Sequence, residues 1–207
     1  VQGEAVGDDV VGDWWNRFLH SNLTIPNGRL WPEHRLTIPA GDNFLTGRFD
    51  LLIRGEEDGQ PFAQLFDWKT SRPRTVVDLE SEWQTRLSLA LIAESWQAFF
   101  ADGQRLTPER ISLTYWYASE PDQPRVVAYS AAKHRQNWSR IQALVAAIEA
   151  YDPDKIWPLT EDWIRCRSCR YQTYCGRQEA GPAEPSFAEE AGAYEVEPAI
   201  LLEPHTP

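Results

Sequence analysis

Two apolar runs in the middle of this 207-residue chain each carry one carboxylate. Gly47-Arg48-Phe49-Asp50-Leu51-Leu52-Ile53 is followed by Gln64-Leu65-Phe66-Asp67-Trp68-Lys69-Thr70, and the second run sets a lysine two residues beyond its aspartate. A carboxylate inside a strand-like apolar segment is costly to bury unless its charge is compensated. A divalent cation shared by two such groups compensates both. Residues two apart in a strand face the same way, so Lys69 is expected beside Asp67, where its ammonium can orient or deprotonate a water. Such a centre suits metal-assisted hydrolysis, and hard oxygen donors select Mg²⁺ or Mn²⁺ over softer ions.

The elements that must position these groups follow from periodicity and turn residues. Residues 10–19 have helical apolar spacing, with Val10, Val11, Trp14, Trp15 and Phe18 on one side. Residues 29–38 read as extended, interrupted by Pro32, and end at a turn over residues 39–43. Strands over 44–53 and 62–69, joined by the turn Gly55-Glu56-Glu57-Asp58-Gly59, form a hairpin with both carboxylates toward its ends. Ser81-Glu82-Trp83-Gln84 has the spacing of a capping box and falls within a helix predicted over about 79–100. A second hairpin is expected over 111–118 and 125–129, after which Ser130 caps a helix running to about Ala150. This order of strands and helices implies an α/β domain with a central mixed sheet flanked by helices.

In order and rough spacing, Glu33, Gly47-Arg48-Phe49-Asp50, Asp67-Trp68-Lys69 and Gln84 resemble the PD-(D/E)XK nuclease superfamily, and within it the RecB-like branch. The resemblance spans about Trp31 to Cys175 and implies a restriction-endonuclease-like core. It implies that Asp50 and Asp67 are metal ligands, with the main-chain carbonyl of Trp68 as a third. Lys69 would position the attacking water and stabilise the developing phosphorane charge. Glu33 would be an outer ligand or water holder, and Gln84 would touch the DNA backbone or steady Lys69. The chain departs from the pattern at Ser88, where the family often has a tyrosine.

All three cysteines lie in one short segment, as Cys166-x2-Cys169-x5-Cys175. In a cytoplasmic protein, cysteines packed this closely suggest metal ligation rather than disulfides. The spacing is similar to the C-terminal part of the iron-sulfur motif of RecB-like nucleases, including AddB and the CRISPR-adaptation exonucleases, whose fourth cysteine lies far upstream. The resemblance thus implies a [4Fe-4S] cluster that staples the C-terminus to the core, with its fourth ligand outside this chain. The chain starts at Val1 and holds no methionine, so a truncated N-terminus is expected to account for that ligand. A zinc completed by His20, His34, His134 or His205, a three-cysteine cluster and no metal at all stay open as alternatives. Arg165, Arg167, Arg170 and Arg177 surround the cysteines and could face DNA or the negative charge of a cluster.

A net charge of -11 argues superficially against nucleic acid as a partner. Its distribution weakens that argument, because residues 178–207 contribute seven glutamates and no lysine, arginine or aspartate. Residues 1–177 therefore read as the nuclease-like domain and 178–207 as an acidic, disordered tail. No run approaches the ~18 apolar residues of a membrane span, and the N-terminus lacks the features of a signal peptide. A cytoplasmic protein without a membrane partner is the expectation. Of ten tryptophans, Trp14, Trp15, Trp138, Trp157 and Trp163 read as core, whereas Trp83 and Trp116 are candidates for stacking on single-stranded DNA.

The leading expectation is a Mg²⁺-dependent deoxyribonuclease, an exonuclease on ends or single strands in repair, recombination or CRISPR-related processing. Its partners would be DNA and a helicase or CRISPR-type protein. A catalytically idle DNA-binding or scaffold subunit of a helicase complex is the first alternative. Asp50, Asp67 and Lys69 occurring together favour activity over it. An interaction domain with an accidental match is the second, and it leaves the cysteine spacing unexplained.

Overall fold

The computed structural model describes residues 10–99, 105–152, 154–155, 158–167 and 169–177. Helix α1 (Val10–Leu19) is followed by strands β1 (Arg29–Ala40), β2 (Asn43–Glu57) and β3 (Gln60–Lys69). Helices α2 (Val76–Ser81) and α3 (Trp83–Phe99) lead to β4 (Ile111–Tyr117), β5 (Arg125–Ala128) and α4 (Ala131–Glu149). The five strands form one mixed sheet in sequence order. β1, β2 and β3 run antiparallel, β3 and β4 are parallel across the α2–α3 crossover, and β5 returns antiparallel to β4. This is an α/β restriction-endonuclease-like core.

Two apolar clusters cover the sheet. Leu51, Ile53 and Phe66 pack with Leu23, Phe62 and Trp68 in the smaller one. In the larger, Leu52, Ala63, Leu65, Leu113 and Tyr115 meet Leu89, Leu91 and Ile92 of α3, with Trp138 of α4 against them. Gly47 packs against α3: a Cβ there would stand 2.6 Å from Leu91 Cδ1. A side chain at that position would require the Leu91 methyl to shift.

Strict strand alternation predicts that Phe49 shares the cluster of Leu51. It lies in the main core instead, together with Leu36, Ile38 and Leu52. The inside-outside phase therefore changes at Asp50 in β2. It changes in β1 as well, between Trp31 and Leu36, where Glu33 has a left-handed φ of 49°. A non-glycine residue held there costs about 1–3 kcal/mol, and such strain tends to gather at functional sites.

Several boundaries differ from the sequence reading. β2 continues through Gly55 to Glu57, and the hairpin turn is only Asp58-Gly59, both with positive φ as a type I′ turn requires. The anticipated capping box is absent, because the helix breaks at Glu82 (ψ 144°). Thr75 caps α2 through Asp78 N, and Ser81 donates to the carbonyl of Asp78. Ser130 does cap α4, accepting from Lys133 N at 3.2 Å. On α1, Trp14 and Phe18 are half-buried, but Val10, Val11 and Leu19 are exposed.

A boundary between two compact units falls between Leu159 and Thr160. The described part of the second unit is a short helix, α5 (Trp163–Cys166), capped by Asp162 through Ile164 N, then a succession of turns. Trp163 is exposed in it and lies under Arg177, not in a core, while Trp157 and the tail over 178–207 lie outside the described residues.

Candidate active site

The sheet register assembles the candidate residues into one row. Leu51 pairs with Phe66 as the last rung of the β2–β3 ladder, and Asp50 and Asp67 stand one step beyond it on their two strands. Glu33 falls opposite Asp50, bracketed by the pairs Pro32–Leu51 and His34–Phe49. On the other flank Asp67 pairs with Tyr115 of the parallel strand β4. Opposed Cβ atoms in a sheet stand about 4.5–5.5 Å apart. Carboxylates at that separation can share one cation.

Hydrogen bonds hold the row in place. Asp50 Oδ2 accepts from Trp68 N at 2.8 Å, an anchor just past the last paired residues of the β2–β3 ladder. Lys69 Nζ lies 3.0 Å from Asp67 Oδ1, and Gln84 Nε2 donates to Asp67 Oδ2 at 2.7 Å. Lys69 Nζ also donates to Gln84 Oε1 at 3.4 Å, which closes a triangle. The Asp67 and Lys69 side chains are only 14% and 16% exposed, so this ion pair is weakly screened. Gln84 occupies the first turn of α3, and the next residue, Thr85, is buried with its hydroxyl 2.8 Å from that of Tyr115. That bond ties the start of α3 to β4.

Tyr115 also lies beneath the lysine, whose ammonium stands 5.9 Å from the ring centroid. Burial pushes the phenol up to about 12, against the opposing effect of the Thr85 hydrogen bond. It therefore stays neutral near pH 7. Burial also pushes the hydroxyl of Tyr117, the next residue on this face, upward.

Of the residues expected from the sequence, Asp50, Asp67, Lys69 and Gln84 are brought together. Glu33 reaches the row through its backbone, but its exposed carboxylate turns to Arg48 Nε at 3.6 Å. Trp68 supplies its N–H to Asp50, while its ring packs with Phe66 and Phe18. Trp116 is buried, edge-on to Phe18, with its indole N–H on the carbonyl of Pro121, so its ring is not open to stack on a base. Trp83 is half exposed beneath Arg86. Tyr115 and Thr85 were missed by sequence reasoning. Their signal is a parallel register across a crossover helix, which no local motif encodes.

The donor set suits a hard divalent cation. Two carboxylates on neighbouring strands offer oxygen alone, and Mg²⁺ commonly takes one or two carboxylates and completes its shell with water and substrate oxygens. Among the described residues, no group of three or more His, Cys, Asp or Glu side chains is placed to hold a metal by itself.

The three cysteines are free thiols: Cys166 is buried, Cys175 half-buried and Cys169 exposed. Cys166 Sγ contacts the carbonyl of Asp162 and the Arg177 guanidinium, each at 3.8 Å. As placed, these thiols do not fit a metal cluster. Arg165 pairs with Asp162 at 2.9 Å, and Arg177 donates to the carbonyl of Thr160. Two of the histidines proposed for zinc have other partners, His134 in Glu94 and Tyr129 and His20 in the carbonyl of Asn16, while burial lowers the basicity of His34.

A family model of the PD-(D/E)XK nuclease superfamily matches residues 10–176. The chain belongs to that superfamily. Comparison with curated proteins finds no match. For a PD-(D/E)XK protein, Asp50 anchored on Trp68 N and the Asp67–Lys69–Gln84 triangle are the natural place to look for chemistry. Membership points to metal-dependent nuclease activity and to nucleic acid as substrate. No helix among the described residues is long and apolar enough to cross a membrane.

Proposed function

We propose that the chain is a Mg²⁺- or Mn²⁺-dependent deoxyribonuclease whose catalytic residues are Asp50, Asp67, Lys69 and Gln84, with Glu33 as an outer water holder. The observation that carries this reading is the closed arrangement of Asp67, Lys69 and Gln84 beside the anchored Asp50. Asp50, Asp67 and the main-chain carbonyl of Trp68 would hold the cation. When bound, the cation supplies a water ionised near neutral pH and neutralises charge on the phosphoryl oxygens. Lys69, fixed between Asp67 and Gln84 over the Tyr115 ring, orients that water and meets the charge that develops at phosphorus. Gln84 keeps the lysine from swinging away and aligns Asp67. Glu33 would serve once its carboxylate leaves Arg48.

The RecB-like assignment rests on the motif order and the cysteine spacing. It extends the nuclease domain to residue 177, ahead of an acidic tail, and implies an exonuclease acting in the cytoplasm on DNA ends or single strands. Repair, recombination or CRISPR-related processing, with a helicase or CRISPR-type partner, would be its setting. In the same reading the cysteine segment closes a [4Fe-4S] site only with a fourth ligand from outside this chain and with rearrangement of the Cys166–Arg177 contact.

The test is degradation of labelled single- and double-stranded DNA with Mg²⁺ or Mn²⁺ by the wild type, Asp67→Asn and Lys69→Ala. Both variants are expected to lose activity on the order of 10³-fold. Equal degradation by all three, or by none, would sink the active-nuclease reading.

A further inference from the structure

A cavity of about 240 Å³ opens between α2, α3, β5 and α4. Three cations line it, Arg86, Lys133 and Arg140, against the single carboxylate of Glu80. Lys133 occupies that carboxylate at 2.7 Å. Arg86 uses its Nε on the main-chain carbonyl of Glu80 at 3.3 Å, which leaves its terminal nitrogens without an ion pair among the described residues. Arg140, exposed on α4, likewise has no ion pair among them. Two buried polar residues, Thr85 and Asn137, complete the wall. In a chain of net charge -11, a concave surface with a surplus of cations is not explained by overall composition.

Its position ties it to the acidic row. Thr85 belongs to both, since its hydroxyl meets that of Tyr115 beneath Lys69, and it follows Gln84 directly in the chain. We propose that this cavity binds a phosphodiester group of the nucleic-acid strand, separate from the one presented to Asp50 and Asp67. The inference rests on the nuclease reading and adds a strand-binding site to it. Arg86 and Arg140 supply the charge-assisted hydrogen bonds, and Lys133 keeps Glu80 from opposing the phosphate. Bonds of this kind fix the strand's register without reading its sequence.

The experiment measures anisotropy of a labelled thymidine oligonucleotide without divalent metal, over a range of salt, for the wild type, Arg140→Glu and Arg86→Ala. Cleavage by the same preparations with Mg²⁺ or Mn²⁺ runs in parallel. Arg140→Glu is expected to weaken binding about tenfold. The slope of log affinity against log salt should shrink by about 0.7 for each single-strand phosphate that the variant no longer neutralises. Arg86→Ala should act in the same direction. Unchanged affinity and slope in both variants, with a wild type that cleaves, would overturn the site and leave the nuclease reading standing. A wild type that never cleaves, but whose binding still depends on Arg140, would sink the nuclease reading and keep the site. A free phosphate monoester offers the same chemistry. Binding of thymidine monophosphate that Arg140→Glu abolishes, with oligonucleotide affinity equal in both proteins, would overturn assignment to the strand.

Discussion

Asp67 and the three cysteines are all potential metal ligands in short motifs, but they are supported differently. The partners of Asp67 arrive from far along the chain: Gln84 from α3 and Tyr115 from β4. Leu65 and Phe66, just before it in β3, are fully buried. The cysteine segment is held by near neighbours, through turn bonds such as Cys169 N to the carbonyl of Cys166 and Cys175 N to that of Tyr171. Its large side chains Tyr171 and Tyr174 are exposed. A ligand set supported by a packed sheet exists before the metal arrives. In the proposed cluster reading, a segment made of local turns would acquire its geometry from the metal, because binding free energy there would also be folding free energy.

Substitutions can break this contrast. Leu65→Ala, beneath the row, should destabilise the first unit by about 3 kcal/mol and lower its melting temperature, as read by calorimetry. A much smaller loss would mean that the sheet does not support the row. Gln84→Ala should reduce cleavage about 10- to 100-fold, the range for a residue that orients a ligand, with little change in melting temperature. Measured as kcat with saturating DNA, this separates orientation of Lys69 from strand binding. An effect confined to KM would assign Gln84 to the strand instead.

Alkaline titration is a gentler probe. Burial pushes the hydroxyls of Tyr115 and Tyr129 up to about 12, above the usual phenol value near 10. The folded state therefore holds these protons more tightly than the unfolded chain. Their stabilisation is complete below about pH 10 and fades as pH rises toward 12. Denaturant midpoints should fall over that window, and the fall should shrink in Tyr115→Phe. Smallest of all is the effect of Cys169→Ser, an exposed thiol, which should move the melting temperature of this chain by the equivalent of less than about 0.5 kcal/mol. A large loss would show that the segment is already organised around its cysteines.

Much of the scaffold was legible in the sequence, because hairpins and amphipathic helices write their periods locally. The β2–β3 hairpin, the cap at Ser130 and the pairing of Asp67 with Lys69 all follow from spacing along the chain. The break at Glu82 was not legible, since the capping-box pattern fits Ser81 while Thr75 takes the role six residues earlier. Nor was the change of phase at Glu33, where a left-handed residue sits inside a strand, or the one at Asp50. Tyr115 and Thr85 were hidden for a further reason. Their meeting depends on a parallel pairing across a helix, where residues far apart in sequence decide the partners.

The central claim is that Asp50 and Asp67 together hold a divalent cation in a site the sheet has already formed. Calorimetric titration of Mn²⁺ into the wild type, Asp50→Asn and Asp67→Asn tests it directly and independently of any nuclease assay. The account predicts saturable binding in the wild type that weakens at least about tenfold in each variant, with melting temperatures of the metal-free proteins little changed. Binding of equal strength in all three proteins would contradict it.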